Sequence, residues 1–136
     1  MKLMSNSVSF GVLIIRLSIG VLMLLHGIHK LFHGIGFIER SVVSAHLPAF
    51  FAYGVFIGEI IAPLMIIAGY RTRLGALIFA VNCIAAVLLV HKAGIFALNA
   101  QGGWSIELLG LYFFGALMLL FTGGGKYAIS RKSIFD

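Results

Sequence analysis

Charge is scarce in this chain. Of 136 residues, ten are Lys or Arg and four are Asp or Glu, 10% in all. An ordinary soluble domain carries about 25%. Hydrophobic residues make up 61%. This balance excludes a disordered segment and a cytosolic enzyme. The net charge of +6 does not point to nucleic acid, because the basic residues sit at the ends of apolar runs, not on one polar face. Cysteine occurs once, at Cys83. That excludes an internal disulfide, a CxxC redox pair and a thiolate zinc site. The period-two alternation of a β-barrel strand is also absent.

What is present in quantity is long apolar runs. Crossing a hydrocarbon core of about 30 Å takes about 20 helical residues. Four runs have roughly that length, and helices are the open-ended solution that satisfies its own backbone in lipid. The expected fold is all-α: one integral membrane domain over residues 1–136, a four-helix transmembrane bundle with helices at about 8–30, 49–69, 74–91 and 104–122. The first run is too long for a signal peptide, carries Arg16 and has no A-x-A site behind it, so it reads as a retained helix.

Four spans put both ends on one side with the Tyr70–Arg73 turn. That side holds Lys2, Arg71, Arg73, Lys126, Arg131 and Lys132. The other holds Lys30, Arg40 and Lys92. The bias predicts cytoplasmic N and C termini. All five histidines then fall at the outer face: His26, His29, His33, His46 and His91. Gly54, Gly58 and Ala62 repeat every four residues, as do Ala76 and Ala80. Such stripes let helices pack closely within a bundle, or between copies in a homo-oligomer.

The polar residues inside the spans are the candidate site. A charge at the bilayer centre costs about 2.5–3.5 kcal/mol on insertion scales and needs a partner. Counted from the cytoplasmic helix ends, Arg16 lies at a depth of about 12 Å and Glu59 at about 15 Å. An Arg16–Glu59 ion pair is therefore expected. It is either a structural pair that fixes register or part of a working site, in which Glu59 is the group able to change protonation. Pro63 frees the Glu59 carbonyl and predicts a kink beside it. Glu107 and His91 fall at similar depth near the outer face, with His26 level with them on the first helix. A carboxylate beside neutral imidazoles can pass protons near neutral pH, which quinone chemistry requires. The plain alternative is histidines at headgroup level bonded to water. His26, His29 and His33 share one helical face, and the last two have i, i+4 spacing. The Glu of HExxH is missing, however, and glycines interrupt that region, so neither metal nor haem is expected. Asn82 reads as an interhelical hydrogen-bonding group, Cys83 as a packing residue, and Trp104, Tyr53 and Tyr70 as interface anchors.

The ordered set of motifs resembles the DoxX family. Arg16-Leu-Ser-Ile-Gly20 through His26-Gly27-Ile-His29-Lys30-Leu31 is similar to its opening helix. Gly58-Glu59 followed by Gly69-Tyr-Arg71-Thr-Arg73 is similar to its second helix and turn. His91-Lys-Ala-Gly94-Ile-Phe96, then Gly102-Gly103-Trp104-Ser-Ile-Glu107, is similar to its third loop. Thr122-Gly-Gly-Gly-Lys-Tyr127 is similar to its tail, with Gly-Gly-Gly in place of Gly-Pro-Gly. The resemblance covers almost the whole chain. It implies a small four-helix protein of a prokaryotic inner membrane, multi-pass, related to membrane subunits of a thiosulfate:quinone oxidoreductase. The positions matching the family's polar pattern are Arg16, His26, Lys30, Glu59, His91 and Glu107. The expected function is the membrane component of a quinone-linked oxidoreductase. Glu59 and Glu107 would handle protons, with Arg16 beside Glu59. His26, Lys30 and His91 would hold a quinone. Expected partners are membrane lipid and either a protein subunit or a second copy. The rival expectation is a non-catalytic assembly or cargo subunit, or a small-molecule carrier, with structural Arg and Glu residues.

Overall fold

The computed structural model describes residues 2–136, with side chains from Asn6 onward, so the side chain of Lys2 lies outside the described residues. Five helices carry the fold: α1 (Lys2–His33), α2 (Gly36–Ser44), α3 (Ala49–Ala68), α4 (Thr72–Leu89) and α5 (Glu107–Thr122). Among the described residues there is no strand, only a single bridge between Leu98 and Trp104. Asn6–His33, Ala49–Ala68 and Thr72–Leu89 are long and apolar enough to cross a membrane. Helix α5 is apolar but shorter, 16 residues, or about 24 Å. The architecture is an α-helical membrane bundle. Its core is small and tight: Phe79, Ile66, Ala76, Ala116 and Leu119 are buried. Leu25, Val81, Leu111 and Phe114 point outward, the arrangement that acyl chains favour.

The small-residue stripe packs inside the bundle except at Gly54, which is exposed with open space around it. Ala62 and Ala76 are buried, and Gly58 lies directly under the Asn82 side chain of α4. Helix α3 starts as a 3-10 turn (Ala49–Tyr53) and contains a π turn at Ile57–Ile61, where the Ala62 N–H donates to the Ile57 carbonyl. Pro63 has no N–H to offer Glu59, and the backbone absorbs the loss as a π turn. Such turns often mark functional positions. The α3–α4 turn is a Schellman motif. Gly69 takes φ +72, Tyr70 N–H donates to Met65 at 3.0 Å, and Gly69 N–H to Ile66 at 3.2 Å. A side chain at Gly69 would also collide with Arg16 Nη2. Gly69→Ala is therefore expected to cost at least about 2 kcal/mol, from left-handed strain plus that overlap. A denaturant titration showing no change would contradict this.

Helix α2 differs from expectation, since residues 31–48 read as loop. Ile35, Ile38 and Val42 recur at helical spacing, and the chain folds them onto Ala52, Val55 and Leu89. At the opposite end the segment after Gly123 folds back along α1 and the turn. Ser130 N–H donates to Gly69 at 3.1 Å, and Arg73 N–H donates to Phe135 at 3.0 Å. The Arg71 guanidinium lies 5.8 Å from the Tyr70 ring and 5.9 Å from the Phe135 ring.

Candidate functional site

The expected Arg16–Glu59 pair does not form. Each residue has a different partner, and the helix register explains why. Helix α1 meets α3 with Gly27 level with Glu59. The two backbones are so close there that a Cβ on Gly27 would overlap the Glu59 carbonyl. Arg16 lies eleven residues further back, about 16 Å along the axis. The depth argument fails because α1 overshoots the end of α3, so its apolar run does not start level with its neighbour's end.

Arg16 is 1% exposed. Its Nε donates to the Ile66 carbonyl, Nη2 to Ile67 and Nη1 to Gly124, each at 2.8 Å. Ile66 and Ile67 belong to the last turn of α3, whose carbonyls lack the i+4 N–H donor of a helix interior and which carries the negative end of the helix dipole. A planar guanidinium with five fixed donors suits three converging carbonyls. Arg16 thus caps α3 and fastens the glycine-rich tail to the bundle.

Glu59 pairs with Lys30 instead. The ammonium bonds both carboxylate oxygens. Glu59 is buried by α1 and α4, while the Lys30 side chain keeps 27% exposure. Lys30 stands near the end of α1 and runs its stem down the apolar wall to the carboxylate.

This pair lines a cavity of about 720 Å³. Apolar side chains from α1, α2, α3, α4 and α5 form most of its wall. The polar groups in it are few: Glu59, Lys30, Asn82, Tyr112, His26, His91 and Ser105. His26 meets the Tyr112 ring edge-on at 6.4 Å, and Tyr112 meets Phe79 at 5.9 Å. Small-molecule sites have this build, at about 300–1,000 Å³, mostly apolar, with a few convergent polar groups.

Four of the six expected site residues meet here: Glu59, Lys30, His26 and His91. Arg16 and Glu107 do not. Glu107 is exposed in the first turn of α5, where a carboxylate favours the helix dipole. Tyr112 is absent from the sequence reading, and a tyrosine within an apolar helix is the signal that would have found it. Among the described residues no three metal-ligating side chains converge. His29 and His33 stack at 4.0 Å, and His33 Nδ1 lies 2.9 Å from the His29 carbonyl, while His26 turns to Tyr112.

The DoxX family model matches residues 11–92, which hold Arg16, His26, Lys30, Glu59 and His91. A Bacillus subtilis (strain 168) protein named "Putative oxidoreductase CatD" is 28% identical over 109 residues, 80% of this chain and 81% of that protein. No solved structure matches.

Proposed function

The chain belongs to the DoxX family, and on that premise we propose that it is the membrane component of a quinone-linked oxidoreductase. The observation that carries this reading is the Lys30–Glu59 pair set in the wall of an apolar cavity. The residues fit a quinone head group. The cavity has room for a substituted ring, an apolar wall for its tail, and cationic and amide donors for carbonyl oxygens. A bound quinone would supply two-electron, two-proton chemistry. Lys30 and Asn82 would orient a carbonyl by donating to it. Glu59 would exchange a proton with the bound group, and its release from Lys30 would accompany that step. His26 and His91 would relay protons to the water beyond the mouth. One cysteine provides no internal thiol–disulfide couple, so a donor protein would deliver the electrons. On this reading the Lys and Arg bias puts the termini in the cytoplasm and the cavity mouth at the outer face, and the chain would be a multi-pass protein of a prokaryotic inner membrane.

A carrier or assembly role is the second reading, and Arg16 favours it, since that residue acts as a structural clasp. Binding and redox assays separate the two. Ala85 lines the cavity, and Ala85→Phe should fill it. Short-chain quinone affinity in lipid nanodiscs is expected to fall by about tenfold or more, the equivalent of about 1.4 kcal/mol, with the circular dichroism unchanged. Undiminished binding by this variant would place the ligand elsewhere. An oxidised-minus-reduced spectrum then tells a quinone that turns over from cargo that is only carried.

A further inference from the structure

A second, polar cavity lies at the other end of the bundle. It measures about 360 Å³, room for about a dozen waters at about 30 Å³ each. Its wall is the Gly123–Gly125 run, with Arg73, Lys126, Arg131, Ser130 and Asp136 around it. Three cations face the Asp136 side chain, and the Asp136 main-chain carbonyl closes on Gly123 beside Arg73.

Their bonding leaves most of that positive charge unspent. Arg73 gives Nη2 to the Phe121 carbonyl at 3.2 Å, and its Nε is buried with no partner among the described residues. Arg131 gives Nη1 to the Lys126 carbonyl at 3.1 Å. Lys126 bonds the neutral Asn6 side chain. None of the three has a described salt bridge to an acid. The carboxylate is engaged through its other oxygen: Asp136 Oδ2 accepts from Ser133 N–H at 2.5 Å and Lys132 N–H at 2.6 Å. These backbone donors, Ser133 first, hold its carboxyl below the usual range. The carboxylate therefore stays charged at neutral pH and its attraction for the cations is limited by its own bonds.

We propose that this cavity binds a phosphate group. Two guanidinium groups and an ammonium around a glycine-rich wall suit a phosphate's geometry and charge. A monoanionic phosphodiester or a phosphate near its second ionisation carries the charge opposite to this cationic wall. The cavity sits where α5 ends at Thr122, the level of lipid headgroups, and basic pockets at that level take anionic lipids. The phosphate comes from a lipid headgroup or from a free phosphate compound, and the same chemistry serves both. The site is remote from the Lys30–Glu59 cavity and does not depend on the quinone reading.

The test uses the full chain in phosphatidylcholine nanodiscs. Thermal midpoints are followed while inorganic phosphate is added at constant ionic strength, with chloride as control. The same protein is measured in discs containing phosphatidylglycerol. A ligand bound only by the folded state raises the midpoint. A rise with inorganic phosphate assigns a free phosphate source. A rise with phosphatidylglycerol alone assigns the headgroup. In either case Lys126→Gln with Arg131→Gln should weaken the apparent affinity by about tenfold or more, since hydrogen bonds between charged groups are the strong ones. Arg131→Gln alone, at an exposed position, should weaken it in part. Arg40→Gln and Lys92→Gln at the far end should leave it intact. No rise beyond chloride, or an equal rise in the double variant, overturns the proposal.

Discussion

Arg16→Ala is expected to lower the unfolding free energy by about 4 kcal/mol. Three charge-assisted hydrogen bonds disappear, each worth about 1.5–3 kcal/mol when measured singly. They share one side chain and are not additive, so the sum is a ceiling. The substitution also leaves the carbonyls of Ile67 and Gly124 without this donor and that of Ile66 with only its longer bond from Gly69 N–H, at a position that water reaches poorly. Arg16→Lys keeps the charge but has no planar fork, and should recover no more than about half of the loss. The damage should be local as well as global. Amide exchange at Ile129 and Ser130, which donate to Ala68 and Gly69, should speed up before the helices open. Unfolding titrations in mixed detergent, read with exchange along the tail, decide the matter. Wild-type stability with a protected tail would show that Arg16 is not a clasp.

That role was hidden in the sequence for a physical reason. Spans can be read because lipid demands long apolar runs, and the all-helical bundle has three helices long and apolar enough to cross a membrane and a shorter apolar fourth. The offset between neighbouring helices cannot be read that way. It depends on which small residues allow close contact, here Gly27 against Glu59. Arg16 and Glu59 look level when each is counted from its own end. They are far apart when counted from the contact. The partner of a buried arginine then turns out to be backbone carbonyl, which no residue pattern displays. Helix α2 was concealed differently. Its apolar stripe at Ile35, Ile38 and Val42 is present, but Gly34, Gly36 and the histidines before it resemble a loop. The cavity half of the site was more legible. Glu59, His26 and His91 stand out as costly or titratable groups in apolar surroundings, and Lys30 through the family resemblance. What joins them is the tertiary fold, which also brings in Tyr112 and Asn82.

The Lys30–Glu59 pair leads to the second large effect. Lys30→Met should cost about 3 kcal/mol, because removing one partner of a buried pair strands the other. Glu59→Gln should cost less, near 1–2 kcal/mol, since Lys30 is partly exposed and its long stem can carry the ammonium to water. The double variant Lys30→Met with Glu59→Gln should be more stable than the sum of the singles implies, with a coupling of about 2 kcal/mol. The matching cycle for Arg16 and Glu59 should be additive, because groups further apart than about 7–10 Å rarely couple. Quinone affinity separates a structural pair from a working one. A working pair predicts that both singles and the stable double variant all lose binding. A purely structural pair predicts that the double variant regains binding along with its fold. A Lys30–Glu59 cycle that closes at zero would mean that the two side chains do not engage each other in the membrane. Full quinone binding by the double variant would remove both from the proton path and leave Tyr112, His26 and His91 to account for the cavity's chemistry.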